Sequence, residues 1–246
     1  NFDDKDRSTI GLNGVGISLV NIFSKYFCVT TANGAYYYKQ EFEDSLKKIH
    51  KPTVKPSSDN YTEVKFMPDY SYFKLADPST LAVLIEKRIR NLAFVFPEIT
   101  FYWNGVKINT SNLDNYLKNI HEIYETEEVD GARLGLFCSE DEFKHISFVN
   151  GAETSRGGTH IEYISGVITD HIRDYIKRKY KFDVKPIEIK SKLFIVLSIR
   201  IVNPRFDSQT KERLVTNVSE YKDLFDKLIT KKFLAEILVD RLRLRG

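Results

Sequence analysis

An α+β fold is predicted by three features of the 246-residue sequence. β-rich runs close on Asn-Gly turns, stretches with apolar residues at helical spacing lie between them, and one continuous apolar run sits late in the chain. Taken in order, Gly11, Gly14 and Gly16 precede a run in which Val15, Leu19, Phe23 and Phe27 recur every four residues, with Val20 and Ile22 widening the stripe. An amphipathic helix is expected to start at the glycines and to include Phe27. "FCVTTANGAYYYKQEF" reads as a hairpin turned at Asn33-Gly34, a dipeptide that accepts positive φ at both central positions. Residues 43–60, rich in Lys, Ser and Pro, read as a loop, and "YTEVKFMP" alternates as a strand. "STLAVLIEKRIRNLAFVF" has helical spacing at Leu81, Leu84, Ile85, Ile89 and Leu92. "EITFYWNGVKIN" is another Asn-Gly hairpin, with Trp103 read as a partly buried aromatic.

After "NLDNYLKNIHEIYETEEVDG" the character resets, which places a domain boundary near residue 122 and gives domains 1–121 and 122–246. "ARLGLFCS" and "KHISFVNGAET" are strand-like, and Gly157-Gly158-Thr159 can turn the chain and cap a helix running to about Lys179. "KLFIVLSIRIV" reads as a buried strand closed by Asn203-Pro204. The loop "RFDSQTKERL" and two helical stretches, about 218–228 and 231–244, finish the chain.

Composition narrows the function classes. With 42% hydrophobic and 29% charged residues the chain is globular, and no run approaches the ~20 apolar residues of a membrane span. The start Asn-Phe-Asp-Asp has neither the basic nor the apolar region of a signal peptide, so a cytoplasmic protein without membrane partners is expected. Two cysteines, Cys28 and Cys138, are too few for a disulfide framework, and the five histidines show no Cys/His metal spacing, so no side-chain metal site is expected. A net charge of +3 implies no whole-surface attraction to nucleic acid and leaves room for a local patch. The opening in an acidic stretch (Asp3, Asp4, Asp6) without a methionine suggests a piece of a longer chain.

The glycine cluster is the first candidate site. A dinucleotide fingerprint needs G-x-G-x-x-G directly after a strand, whereas the order here is G-x-x-G-x-G after polar residues. A P-loop needs Gly-Lys before Ser or Thr, and this chain has Gly16-Ile17-Ser18. What remains is an anion site built from backbone N–H groups at a helix N-terminus, against the plainer reading of a flexible turn that starts a helix. Lys211 in "DSQTKERL" reads, by itself, as a solvated surface lysine.

Together the motifs are more specific. "GLNGVGISLVNIFSKYF" resembles the GxNGxG lid motif, "ISFVNGAETSRGGTHIEYI" the FVN…GGTH segment and "NPRFDSQTKERL" the QTK loop of the ATPase region of type IIA DNA topoisomerases. The likeness is nearest to the eukaryotic pattern and to the large subunit of T-even phage topoisomerase. It implies a GHKL (Bergerat-type) α/β sandwich followed by a smaller α/β transducer domain. It also implies ATP contacts from Asn1 and from the lid residues Gly11, Leu12, Asn13, Gly14, Val15, Gly16, Ile17 and Ser18. Gln209, Thr210 and Lys211 would approach the γ-phosphate, with Lys211 in the catalytic role. Ser18 and Leu12 stand where the eukaryotic motif often has a lysine and an arginine. The family's catalytic glutamate, magnesium-binding asparagine and DxGxG motif lie upstream of the lid and have no match here. The Mg2+ ligand is therefore expected outside this sequence, and the 246 residues alone are expected not to hydrolyse ATP.

The same resemblance associates Lys177, Arg178 and Lys179 with DNA, against the alternative of a solvated helix end whose cations complement the dipole. His160 reads as a packing residue rather than an acid–base group. The implied function is the ATP-operated clamp of a type II topoisomerase. It would act as a homodimer on double-stranded DNA together with a DNA-cleavage subunit or domain, in a bacterial host cytoplasm if phage-encoded. The alternatives are another GHKL ATPase, such as a mismatch-repair or chaperone type, or a non-catalytic DNA-binding or dimerisation module.

Overall fold

The computed structural model describes residues 11, 14–74, 79–122, 124–140 and 142–236. It divides into two compact units between Leu84 and Ile85.

In the first unit α1 (Val15–Ile22) is followed by β1 (Ser24–Asn33), β2 (Tyr36–Glu43), β3 (Lys48–Ile49), β4 (Thr53–Pro56) and β5 (Asn60–Pro68). These strands form one antiparallel sheet ordered β3-β2-β1-β5, with β4 also on β2. The helix is shorter than the four-residue spacing predicts. The Ser24 hydroxyl donates to the Val20 carbonyl at 2.6 Å and closes the helix, and Phe27 is instead buried on β1. Strand pairing on both edges of β1 outweighs the helical periodicity of that segment.

The hairpin turn also differs from its expected form. Asn33 still pairs with Asn60 on β5, so positive φ is confined to Gly34, and Asn33 acts through its side chain, whose Oδ1 accepts the N–H groups of Ala35 (3.2 Å) and Tyr36 (2.9 Å). Residues 43–60 are not wholly a loop, because the unpaired edge of β2 recruits β3 and β4.

α2 (Ser79–Val95) runs across the division between the units, and its apolar stripe is buried only toward its C-terminus, where Ala93, Phe94 and Val95 are enclosed while Val83 and Leu84 stay exposed. In the second unit it is followed by β6 (Tyr102–Trp103), β7 (Val106–Lys107), α3 (Leu113–Lys118), β8 (Glu125–Val129), β9 (Ala132–Cys138), β10 (Lys144–Val149), β11 (Ala152–Glu153), α4 (Thr159–Tyr180), α5 (Pro186–Lys190), β12 (Leu193–Ile199), α6 (Lys222–Leu228) and α7 (Lys231–Glu236). The β6–β7 turn has positive φ at both Asn104 and Gly105, as its sequence predicts, and Trp103 is half-buried. A further Asn-Gly hairpin joins β10 to β11: Asn150 and Gly151 both have positive φ, and the buried Asn150 amide donates to the Ile201 carbonyl (2.7 Å) and accepts its N–H (2.8 Å).

The sheet of this unit is ordered β11-β10-β12-β9-β8, with β12 parallel to β10 and antiparallel to β9. As the continuous apolar run predicts, β12 is central and covered on both faces. Ile195, Leu197 and Ile199 join one core with Ile164, Ile168 and Ile172 of α4, while Val196 joins a second with Phe94, Tyr116 and Leu117. Gly135 on β9 makes room for α3, since a Cβ there would lie 2.5 Å from a Leu117 methyl.

Residues 85–121 therefore pack with the sheet that follows them, within the second compact unit. Arg133 of β9 is 8% exposed and ties this stretch down: Nε pairs with Glu128 at 2.6 Å, and Nη1 donates to the carbonyls of Phe94 (2.7 Å) and Ser111 (2.9 Å). Of the last helical stretch, residues beyond Glu236 lie outside the described part.

Candidate nucleotide and DNA contact sites

The glycine-cluster residues Gly11 and Gly14–Ser18 open the first unit. Gly14 caps α1 with φ 67°, a left-handed conformation that costs only glycine nothing. Among the described residues no side chain caps the helix and its first turn carries no acidic residue, so no described side chain opposes its N–H groups or the positive end of its dipole. Val15, Gly16, Ile17 and Ser18 are exposed, and nothing lies within 4 Å of a Cβ built on Gly11, Gly14 or Gly16. Packing among the described residues thus demands none of these glycines, whereas backbone conformation demands Gly14. Asn1, Leu12 and Asn13 lie outside the described residues.

Gln209, Thr210 and Lys211 belong to the second unit. Phe206 bridges to Leu214, the Asp207 N–H donates to the Arg213 carbonyl (3.2 Å) and the Val215 N–H to the Arg205 carbonyl (2.9 Å), so residues 205–216 form a narrow loop. At its tip the Lys211 N–H donates to the Ser208 carbonyl (3.2 Å), and Lys211 has φ 61°. Three carboxylates around the loop are each held by an arginine: Asp207 by Arg156 (3.6 Å), Glu162 by Arg213 (2.7 Å), and Glu220 by Arg205, whose guanidinium holds the Glu220 carboxyl below its usual range. The Lys211 ammonium makes no ion pair among the described residues.

One side of this loop lies against the Gly157-Gly158 turn at the start of α4. Leu214 and the turn exchange backbone bonds, Leu214 N–H to the Gly157 carbonyl and Thr159 N–H to the Leu214 carbonyl, both 3.1 Å. The Gly-Gly pair signals a turn in the sequence; its docking partner far along the chain carries no such local mark. Behind the turn, fully buried Thr154 meets the Ser147 hydroxyl at 2.6 Å and His160 Nε2 at 3.0 Å. Burial, reinforced by His145, pushes the His160 imidazole down to about 3, so it packs as a neutral ring.

Lys177, Arg178 and Lys179 are exposed together in the last turn of α4, where cations oppose the dipole's negative end. Arg178 Nε donates to the Asp174 carbonyl (3.2 Å), and Lys179 Nζ donates to the Tyr175 hydroxyl (2.8 Å) and lies 5.1 Å from the Tyr180 ring centroid. Among the described residues no group of three His, Cys, Asp or Glu could hold a metal ion, and no helix is long and apolar enough to cross a membrane.

The family model described as DNA gyrase B matches residues 102–241, more than half of the chain. The chain belongs to the DNA gyrase B family. This gyrase B family member is 31% identical to the DNA topoisomerase 2 of Meyerozyma guilliermondii over 97% of its length and 19% of that protein. It is 33% identical to that of Saccharomyces cerevisiae over 90% of its length and 17% of that protein. It thus spans about a fifth of the curated relatives it matches. Among solved structures it matches the ATPase region of Saccharomyces cerevisiae topoisomerase II bound to ICRF-187 (dexrazoxane) with a TM-score of 0.82 and 32% identity, over 98% of this chain and 65% of that one. The ATPase and transducer domains of DNA topoisomerase II from Balamuthia mandrillaris match with a TM-score of 0.87 and 29% identity, again over 98% and 65%. The fold is accordingly GHKL with a transducer, as the motifs imply.

Proposed function

We propose that this chain belongs to the ATP-operated clamp of a type IIA DNA topoisomerase, coupling ATP binding and hydrolysis to passage of one DNA duplex through a break made elsewhere in the enzyme. In this reading residues 1–121 and 122–246 are the functional domains, the first ending the GHKL fold and the second acting as transducer. The lid residues Gly11–Ser18, with Asn1, hold the phosphates through backbone N–H groups. Gln209, Thr210 and Lys211 meet the γ-phosphate from the second domain. Phosphoryl transfer needs positioning and charge stabilisation, and a lysine delivered by a separate domain can register whether the γ-phosphate is present. Mg2+ is assigned to ligands outside the described residues, which have no cluster for it. The enzyme would be a homodimer through this region, with a DNA-cleavage subunit or domain as partner, acting wherever the DNA lies: the cytoplasm of a bacterial host if the chain is phage-encoded.

The observation that carries the reading is the Lys211 ammonium, without an ion pair among the described residues while Asp207, Glu162 and Glu220 are each bound by an arginine. In the complete enzyme Lys211→Ala is expected to lower kcat for ATP hydrolysis by about 100-fold or more, the usual cost of losing one preorganised charge at a transferring group. Unchanged turnover would overturn the assignment of Lys211, and ATP turnover by the 246 residues alone that disappears in Lys211→Ala would overturn the expectation that they do not hydrolyse ATP by themselves.

DNA contact rests on Lys177, Arg178 and Lys179. Reversing all three to Glu is expected to flatten the slope of log affinity against log salt by up to about 0.9 for each phosphate that is no longer neutralised. An unchanged slope would remove the cluster from the interface.

A further inference from the structure

We infer that the turn Thr154–Glu162 is a positioning element for Lys211, with Gly158 and Thr159 its decisive residues. The inference rests on the reading of Lys211 as the γ-phosphate contact and adds the device that holds it.

α4 has no side-chain cap: Gly158 offers none, and the N–H of Thr159 is taken by the Leu214 carbonyl. The start of α4 and the loop that carries Lys211 are therefore one hydrogen-bonded piece, each completing the other's backbone. The approach is so close that only glycine fits. At Gly158, φ is 130°, and a Cβ would sit 2.2 Å from the Leu214 carbonyl oxygen and 2.6 Å from its nitrogen, both backbone atoms that cannot swing aside.

Further bonds fasten the same strand of the loop. Arg156 N–H donates to the Glu212 carbonyl at 2.9 Å, the residue directly after Lys211. The Thr159 hydroxyl donates to the Thr216 carbonyl at 2.7 Å and lies 2.8 Å from the Tyr221 hydroxyl. Arg156–Asp207 and Arg213–Glu162 brace the loop from either side. The turn itself is anchored by buried Thr154, bonded to Ser147 and His160, so the grip reaches back to the core.

At the tip, the one hydrogen bond of Lys211 among the described residues is its own turn bond to Ser208. Without the close fit of Gly158 to Leu214, the loop would have to be ordered when nucleotide binds, and that entropy would be charged against the transition state. Thr159 and Gly158 are thus positioning residues, acting through Lys211 and touching no substrate.

The test uses the complete enzyme and the variants Thr159→Val, Thr159→Ser, Lys211→Ala and the double variant Thr159→Val/Lys211→Ala, with Gly158→Ala beside them. Thr159→Val keeps the shape and removes the hydroxyl. It is expected to lower kcat for ATP about tenfold with KM within about twofold, and to speed trypsin scission after Lys211, while Thr159→Ser restores both. Added to Lys211→Ala, Thr159→Val is expected to cost nothing further, because the group it positions is gone. Gly158→Ala should be more severe, and should it fail to fold the threonine variants decide alone. Full additivity of the two losses, or a serine variant no better than valine, would overturn the inference. Should Lys211→Ala leave turnover unchanged, the γ-phosphate reading is what fails, and the trypsin measurement then decides whether the turn holds the loop: unaltered scission overturns that too.

Discussion

From Ile85 onward the chain builds two connected cores on the two faces of one sheet, with Phe94, Phe148, Phe225, Ile164, Ile168 and Leu197 fully enclosed. Between Gly11 and Leu84 the described apolar residues below a tenth exposure are only Phe27, Cys28 and Ala32, while α1 buries none of its residues and β5 exposes Tyr61, Val64, Phe66 and Met67. An apolar groove of about 460 Å3, lined by Leu19, Val20, Phe23, Phe66, Phe73 and Leu81 among others, lies within that first unit. Phe23 packs there against Tyr72 with the rings tilted by 35° at a centroid distance of 4.8 Å. The two units have comparable apolar patterning in sequence, and the difference shows that periodicity marks a face without saying what covers it. Among the described residues the apolar face of the first unit is open, whereas both faces of the second unit's sheet are covered.

The comparison can be broken most directly by separating the parts. A fragment of residues 79–246 is expected to unfold cooperatively in urea, and a fragment of residues 11–84 to show no cooperative transition, because hairpins without a core are marginal in water. Reversal of that order would remove the distinction. Next in size are single truncations. Phe148→Ala, in the fully buried core of the second unit, should cost about 3–5 kcal/mol in urea unfolding, whereas Phe66→Ala on β5, 46% exposed, should cost under about 1 kcal/mol. Equal costs would mean that the first unit is better packed than its exposure shows.

pH sharpens the comparison further, because His160 belongs to the second unit's interior. Its folded pKa is depressed to about 3 by burial and then by His145, so the folded state resists a proton that the unfolded chain accepts near 6.5. Stability from this group is therefore full above about pH 6.5 and falls as pH drops toward 3, by about 1.4 kcal/mol per unit. His145, also lowered by burial, adds in the same direction. Between pH 6.5 and 5, above the carboxylate range, urea midpoints of the second unit should fall, and His160→Gln should flatten that fall. The smallest effect concerns the lid. Gly16→Ala in α1 meets nothing within 4 Å among the described residues and should favour the α1 helix by about 0.5–1 kcal/mol, read as higher helicity, while weakening ATP binding to the complete enzyme measured by calorimetry.

Much of the second unit was legible in the residues. The unbroken run from Leu193 to Ile199 required burial on both faces, and Gly157-Gly158-Thr159 announced a turn and the start of a long helix that ends at Tyr180. Phe27 misled because its four-residue spacing from Phe23 is also compatible with a strand that follows a helix end, and the polar tract 43–60 paired because β2 had an edge to fill. Of the candidate site, the residue types were readable at Gly14 and Lys211, yet the arginines that bind Asp207, Glu162 and Glu220 were not, since each partner lies far away in the chain or in a loop without periodicity.

Sequence alone thus determined the α+β class, the motifs at Gly11–Ser18, Gly157–His160 and Gln209–Lys211, and with them the family, because those depend on residue type and local order. Tertiary structure decided which unit claims residues 85–121, why Gly158 accepts no side chain, and which arginines hold Asp207, Glu162 and Glu220. Those facts are distances between segments remote in the chain, and local spacing constrains a segment's own conformation while leaving its partner open.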